Sequence, residues 1–323
     1  MQGVYSGRAY GLLIRMEKTA ARLARLGIAP EGGAPPSSTR RFPDGAQFRL
    51  EIPSVENPES LEAMLEEAGR HQLTIHRASQ GSGIMLLTDA EISRMARIAK
   101  EARIELSLFV GPRAGFDTTP QPLTAAGKII GGNLRGSAQL LYAVEDVKRA
   151  CALGIRSVLV ADLGLVWVLN ELKKAGELPA NLVQKISILL SVPNPATARV
   201  LETLGAGTIN VSPDLSIAHL AGLRGAVSVP LDVYVEVPDN FGGYVRTYEV
   251  PEMIRVASPL YVKMGLRNAP DIYPCGEQLK AVSVSMTRER LRRARMVMDT
   301  ILRYTPEAVM SKPGAKDLGV PEC

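Results

Sequence analysis

Eight short strand-like segments alternate with helical segments from residue 46 onward, and this alternation constrains the fold more than any other feature of the chain. The predicted strands are 48–52, 73–76, 104–110, 157–161, 185–190, 208–211, 231–237 and 260–264. A helix between consecutive strands favours parallel pairing through right-handed crossovers. Several segments are continuously apolar, as expected for strands that are covered on both faces. We therefore predict a closed (β/α)₈ barrel, also called a TIM barrel, with an N-terminal helical extension and a C-terminal helix.

An open, doubly wound sheet is the main rival architecture. It would place a glycine-rich phosphate turn after the first strand, whereas residues 52–55 are Ile-Pro-Ser-Val. Residues 8–26 have the pattern of a basic amphipathic helix, and the Gly- and Pro-rich stretch 32–38 is typical of a linker. We expect an N-terminal helix and linker over 1–43, the barrel over 44–283, and a C-terminal helix and tail over 284–323.

Composition limits the choice of partners and compartment. The formal net charge is +5, but aromatic residues make up only 5% of the chain and are not interleaved with basic residues, so we expect no nucleic-acid partner. No apolar run reaches the roughly 18 residues that span a bilayer, so we expect no membrane partner. Cys151, Cys275 and Cys323 are too few and too far apart for a disulfide framework or an iron–sulfur cluster, which favours a cytoplasmic protein. The amino-terminal helix has no evident place in the barrel, which suggests a homo-oligomer.

Three long connections, 111–136, 238–248 and 265–280, follow predicted strands three, seven and eight. All of them fall on the carboxyl face, where barrel enzymes place their active sites. The polar residues at this face give five candidates for catalysis: Glu51, His76, Asp162, Glu236 and Lys263. Four more are candidates for binding an anionic substrate: Arg77, Arg113, Asn210 and Arg267.

Carboxylates at the ends of apolar strands are costly unless they are paired or bind a metal. Glu51, Asp162 and Glu236 are therefore candidates for acid–base chemistry, and internal salt bridges with basic residues are the alternative. Glu51, His76 and Glu236 together would form a site for a divalent metal ion, although no HxH or HExxH spacing accompanies them. Lys263 could form a Schiff base, or it could pair with a carboxylate or an anion.

Three segments resemble motifs of the U-32 peptidase family, the collagenase-like proteases. They are Val-Leu-Val-Ala-Asp-Leu-Gly-Leu at 158–165, Ile-Asn-Val-Ser-Pro-Asp-Leu-Ser at 209–216 and Asp-Val-Tyr-Val-Glu at 232–236. The resemblance implies a barrel-like catalytic domain with peptidase activity; some relatives hydroxylate RNA bases or quinone precursors with an iron–sulfur cluster. The sequence departs from the family where Glu-Val-Pro at 236–238 replaces a histidine after the seventh strand, and it lacks the cluster cysteines.

Three functional hypotheses follow. The first is a hydrolase of an amide, peptide-like or small anionic polar substrate, using Asp162 and Glu236 with help from Glu51 and His76, while Arg113 and Lys263 hold the anion. The second is a metal-dependent isomerase, lyase or aldolase that uses the same carboxylate–imidazole set or Lys263, on a small carboxylate or sugar-like substrate. The third is a non-catalytic barrel that binds RNA or protein through its basic terminal helices.

Overall fold

In the computed structural model, eight parallel strands form a closed barrel in which every strand pairs with its neighbours in chain order. The structure describes residues 18–28, 35–111, 120–125 and 127–323, without the side chains of Lys128 and Ile129. The strands are β1 (Phe48–Pro53), β2 (Arg77–Ser79), β3 (Glu105–Phe109), β4 (Ser157–Val160), β5 (Val183–Ile186), β6 (Thr208–Asn210), β7 (Leu231–Glu236) and β8 (Leu260–Met264). The predicted (β/α)₈ fold is confirmed.

Pairing between β1 and β8 closes the ring, and its register fixes the level along the barrel axis at which each inward-facing residue lies. Phe48 lies beside Leu260, and Glu51 lies beside Lys263. Because side chains alternate along a strand, Leu50 and Ile52 point outward into the apolar layer beneath the helices, and Arg49 and Glu51 point into the barrel. The register therefore brings the carboxylate of the first strand against the ammonium of the last strand.

Helices cover the barrel, and polar residues fix several of their first turns. They are α1 (18–25), α2 (Pro58–Arg70), α3 (Asp89–Glu101), α4 (Gly136–Ala152), α5 (Leu163–Lys174), α6 (Pro195–Thr203), α7 (Ile217–Ala226), α8 (Val250–Ala257) and α9 (Lys280–Tyr304). Thr88 and Glu91 form the capping box of α3, and Asn57 and Asn194 cap α2 and α6. In the described part of the chain, no helix has the length and apolarity needed to cross a bilayer.

The last helix, α9, is the eighth helix of the barrel. It packs against α2 and α8, so it fills the gap between these two helices and completes the ring. The expected boundary between residues 283 and 284 falls inside this helix, which begins at Lys280.

Residues 305–323 cover the amino end of the barrel. Asp317 Oδ1 accepts a hydrogen bond from Arg49 Nη2 at 2.6 Å, and the Ser311 carbonyl lies 2.9 Å from His76 Nε2. Met310 forms a bridge with Phe48, the first residue of β1. The tail therefore supplies polar partners to inward-facing groups that would otherwise be buried without them.

Two strands differ from their predicted bounds by more than one residue. The second strand begins at Arg77, after the segment 73–76, and the fifth spans Val183–Ile186, before a 3₁₀ turn at Ile188–Leu190. Strands whose inner face carries Arg77 or Lys185 are only half apolar, so the apolar residues beside them gave the stronger sequence signal.

Candidate functional site

Six buried ionisable side chains, one from each of six strands, form a connected group of ion pairs in the interior of the barrel. Each is at most 2% exposed. Three are acidic and three are basic, so their formal charges balance: Glu51, Glu105, Asp232, Arg77, Lys185 and Lys263. An ionic cluster of this size in a barrel centre costs a large desolvation energy, which makes it a candidate functional site. We call these six residues the ionic core.

Glu51 is the centre of the ionic core. Its Oε1 accepts hydrogen bonds from Ser79 Oγ at 2.8 Å and from Lys185 Nζ at 2.9 Å, and Lys263 Nζ lies 3.3 Å away. Its Oε2 accepts from Arg77 Nη1 at 3.2 Å. Burial raises the pKa of Glu51, but the neighbouring cations outweigh burial and hold that pKa far below its usual range. Glu51 is therefore a permanent anion and a poor proton acceptor.

Arg77 joins all three carboxylates of the ionic core. Its Nε donates to Glu105 Oε1 at 2.8 Å, and its Nη1 is 3.1 Å from both oxygens of Asp232 as well as contacting Glu51. Its guanidinium carbon lies 3.6 Å from the centre of the Tyr261 ring. Arg77 was predicted to bind substrate, but its donors are directed at internal carboxylates, as in the internal salt-bridge alternative.

Lys185 and Asp232 belong to the ionic core, although neither is among the predicted site residues. Lys185 Nζ lies between Glu51 Oε1 and Asp232 Oδ2, at 2.9 and 3.1 Å. Burial lowers the pKa of Lys185, the carboxylate of Glu51 opposes this, and the nearby ammonium of Lys263 lowers it further. Alternation of side chains along a strand could have identified both residues. Lys185 lies two residues before Ser187, and Asp232 lies two residues before Tyr234, so each shares a strand face with another polar residue.

Lys263 is the amine of the ionic core nearest to the carboxyl face. Its Nζ lies 4.5 Å from the centre of the Tyr234 ring, and Tyr234 is one inward position further along β7 than Asp232. With the Asn210 amide oxygen turned toward it, Lys263 Nζ donates to that oxygen at 2.8 Å, while the Asn210 nitrogen donates to the Asp232 carbonyl at 3.2 Å. The structure therefore brings together Lys263, Glu51 and Asn210, three of the predicted site residues.

Asp162 and Glu236 lie apart from this group and have other partners. Asp162 caps α5, since its Oδ1 accepts from the Leu165 amide at 2.9 Å and its Oδ2 from the Leu134 amide at 3.0 Å. Glu236 Oε1 accepts from the Arg267 amide at 2.8 Å, and Arg293 Nη1 lies 3.3 Å from both of its oxygens. Arg267 thus contacts the site residue Glu236 through its backbone.

The three residues predicted as metal ligands are not brought together. Both ring nitrogens of His76 are engaged near the amino end of the barrel: Nδ1 accepts from the Leu50 amide at 3.1 Å, and Nε2 lies 2.9 Å from the Ser311 carbonyl. Burial lowers the pKa of His76 to about 4, so the ring is neutral. Among the described residues, no three His, Cys, Asp or Glu side chains are grouped to hold a metal ion. Arg113, the remaining predicted residue, lies outside the described residues.

The segment before α4 covers part of the carboxyl face. A Cβ on Gly132 would lie 2.7 Å from Ala161 Cβ and 3.1 Å from Leu189 Cδ1, so the backbone passes directly over these side chains. Ala161 and Leu189 pack with Phe109 and Leu159 in a small apolar cluster. This close approach fits only glycine, and it places residues of the longest connection above the barrel interior.

Four basic residues of α9 form ion pairs with neighbouring acids. Partners on α2 and on α9 itself are Glu66 and Glu67 for Arg288, Glu289 for Arg292 and Arg293, and Asp299 for Arg295, and Arg293 also pairs with Glu236 at the end of β7. Paired in this way, the helix presents less positive charge than its sequence suggests. The arrangement gives little support to a nucleic-acid surface on this helix.

Comparison with known proteins gives distant structural similarities and no family. No family model matches it, and no curated protein matches it. It is similar to the structure of a U32 peptidase, at 20% identity over 64% of this chain and 73% of that chain, with a TM-score of 0.39. It is also similar to a thiamine phosphate pyrophosphorylase from Pyrococcus furiosus, at 14% identity over 79% and 98% of the two chains, with a TM-score of 0.44. These similarities concern the barrel alone, and membership of the U-32 family stays a prediction.

Proposed function

We propose that this protein is a lyase of the aldolase type, which binds a small carbonyl substrate as an imine on Lys263. The observation that carries the proposal is the convergence of two amines, Lys185 and Lys263, on one oxygen of Glu51, at 2.9 and 3.3 Å. A buried lysine beside a second cation is a typical setting for an imine-forming amine. The two lysines lie on opposite sides of the barrel, on β5 and β8, so the arrangement depends on the closed ring.

Lys263 is the better nucleophile of the two because of its position. Lys185 is fully buried between two carboxylates, whereas Lys263 has one carboxylate, an amide oxygen and an aromatic ring around it. Lys263 also lies closer to the carboxyl face, from which substrates enter barrels of this class. Lys185 then acts as a neighbouring cation.

The chemical step is an ordinary imine formation. Lys263 releases one ammonium proton to water, and its nitrogen lone pair attacks the carbonyl carbon while the C=O electron pair moves to oxygen. One proton from the attacking nitrogen and one from solvent then convert that oxygen to water, which leaves, and an iminium ion bonded to Lys263 remains. Because Glu51 remains ionised, its carboxylate stabilises the positive iminium and holds the nitrogen in place. The iminium can then accept the electron pair of a breaking carbon–carbon bond.

Hydrolysis by strand-end carboxylates has less support. Asp162 has both oxygens on backbone amides, and Glu236 is held by Arg293 and the Arg267 amide. A general acid or base needs a free approach to the reacting atom, and these contacts occupy the oxygens that would provide it. A barrel that only binds RNA or protein would have no use for the ionic core, whose burial has a large desolvation cost.

Reductive trapping tests the proposal. The protein would be incubated with pyruvate, glycolaldehyde or dihydroxyacetone phosphate and cyanoborohydride, and the modified peptide identified by mass spectrometry. We expect a stoichiometric adduct on Lys263 with at least one of these compounds and none in the Lys263→Arg variant. Lys148, which forms a surface ion pair with Glu177, is the internal control for nonspecific labelling. Equal labelling of Lys148 and Lys263, or no adduct at all, would overturn the proposal.

A further inference from the structure

The face of α9 that packs against the barrel carries two buried polar atoms that have no hydrogen-bond partner within the described part of the chain. Thr287 is fully buried and Arg290 is 3% exposed. Among the described residues, Thr287 Oγ1 and Arg290 Nε have no hydrogen-bond partner. Ser283, one turn earlier on the same face, is satisfied by Ser60 Oγ at 2.8 Å, so unpaired groups are not a general property of this helix. Because residues three apart share a helix face, Thr287 and Arg290 are neighbours.

The guanidinium of Arg290 has one weak contact with the protein. Its Nη1 lies 3.5 Å from the carbonyl of Ser54, in the connection that follows β1. Burial lowers the pKa of Arg290, and Tyr273 and Glu56 oppose this. A buried guanidinium with five donors and so few acceptors is costly, and the cost is removed when an anion accepts the free donors.

The acids near Arg290 are held by other groups. Glu56 accepts from the amides of Gly81 and Ser82, each at 2.9 Å, and from the Ser82 hydroxyl. Glu236 is held by Arg293 and by the Arg267 amide. Both carboxylates act on Arg290 through space, and neither forms a hydrogen bond with it in the described structure. The guanidinium therefore keeps donors for a ligand.

Tyr234 relates Arg290 to the amine of the proposed active site. The Tyr234 ring lies 4.5 Å from Lys263 Nζ, and its hydroxyl group interacts electrostatically with Arg290. Arg290 also belongs to the region where the connections after β1, β7 and β8 meet, since Ser54, Glu236 and Tyr273 surround it. A substrate joined to Lys263 thus has a cation next to it, on the α9 side of Tyr234.

We propose that Arg290, assisted by the hydroxyl of Thr287, binds the anionic group of the carbonyl substrate that reacts with Lys263. The group is a carboxylate or a phosphate, because both offer paired oxygens that match the planar fork of arginine. The inference rests on the proposed function for the identity of the reacting amine. It assigns the substrate to oxo acids or phosphorylated ketones and disfavours neutral carbonyl compounds.

Calorimetric titration with lactate and with orthophosphate, which carry no carbonyl group that could condense with an amine, tests Arg290 independently of Lys263. We expect at least one anion to bind the wild type and to bind Arg290→Met about tenfold or more weakly, with Arg290→Lys in between. Thr287→Val should weaken binding by a smaller factor. Arg288→Gln is the matched control, because Arg288 lies on the same helix in a surface ion pair with Glu66 and Glu67. The anion that loses more affinity identifies the preferred group.

Trapping experiments then separate the two proposals. If both hold, Arg290→Met loses labelling by pyruvate or dihydroxyacetone phosphate and keeps labelling by glycolaldehyde. Anion binding that depends on Arg290, combined with no adduct on Lys263, would overturn the imine mechanism and leave the anion site standing. Equal anion affinity in the wild type and Arg290→Met, or no anion binding to the wild type, would overturn the anion site.

Discussion

Lys185 Nζ lies 3.1 Å from Asp232 Oδ2 across the interior of the barrel, and both side chains are fully buried. The same Asp232 carboxylate accepts from Arg77 Nη1 at 3.1 Å and from Thr208 Oγ1 at 3.2 Å. One aspartate therefore neutralises parts of two cations that have no access to water. The balance between them is a condition for a stable barrel centre as well as for chemistry.

Replacing Asp232 by Asn should unbalance the ionic core. Lys185 and Arg77 would share fewer negative charges, and we expect the free energy of unfolding to fall by about 3–5 kcal/mol in urea titrations. Asp299→Asn, which removes the surface partner of Arg295, should cost far less and serves as the control. A double variant, Lys185→Met with Asp232→Asn, should recover part of the loss. A single variant as stable as the wild type would contradict a coupled core.

His76 should make stability depend on pH. Burial lowers its pKa in the folded state from 6.5 to about 4, so the folded state binds fewer protons than the unfolded state between these values. Stability therefore rises with pH across this window, and about 3 kcal/mol is lost as the pH falls from 6.5 to 4. His76→Gln should reduce the slope measured by urea unfolding in this range. Equal slopes in the wild type and His76→Gln would contradict a buried, neutral imidazole at this position.

Gly265 and Gly69 should respond oppositely to alanine. A Cβ on Gly265 would lie 2.3 Å from the Glu236 carbonyl oxygen and 2.7 Å from Pro238 Cδ, so the backbone after β8 must shift. We expect Gly265→Ala to lower the free energy of unfolding by about 1–3 kcal/mol. A Cβ on Gly69, within α2, meets no atom within 4 Å, so Gly69→Ala should stabilise the protein by about 0.5–1 kcal/mol. Equal effects in thermal unfolding would contradict the close packing after β8.

Asp162→Ala should act through the start of α5. It removes the acceptor of the Leu165 amide and of the Leu134 amide, and we expect a loss of about 1–2 kcal/mol in chemical unfolding. Hydrogen exchange at Leu134 should also accelerate, since that amide loses its partner. Asn194→Ala, which removes the cap of α6, is a matched control for the helix-capping part alone. Unchanged exchange at Leu134 would contradict the bond between the two segments.

The sequence predicted the barrel well because outward-facing residues carry the apolar signal. Segments 48–52 and 260–264 agree closely with β1 and β8, and their pairing brings Glu51 and Lys263 together as expected. The predicted site residues lie where strands end, whereas Lys185 lies inside β5, between Gln184 and Ile186, and its sequence neighbours do not distinguish it. The hydrogen bond from the Leu134 amide to Asp162 joins residues that are 28 positions apart, and nothing in the local sequence indicates it.

The charge balance of the ionic core also limits how this protein can evolve. A neutral replacement at any one of its six positions leaves an opposite charge stranded away from water, so substitutions are tolerated mainly in compensating pairs. We therefore expect the positions of Glu51 and Lys185, or of Arg77 and Glu105, to covary among descendants of a common ancestor. In relatives without the proposed lyase activity, we expect an apolar barrel centre in which both members of an ion pair have been replaced.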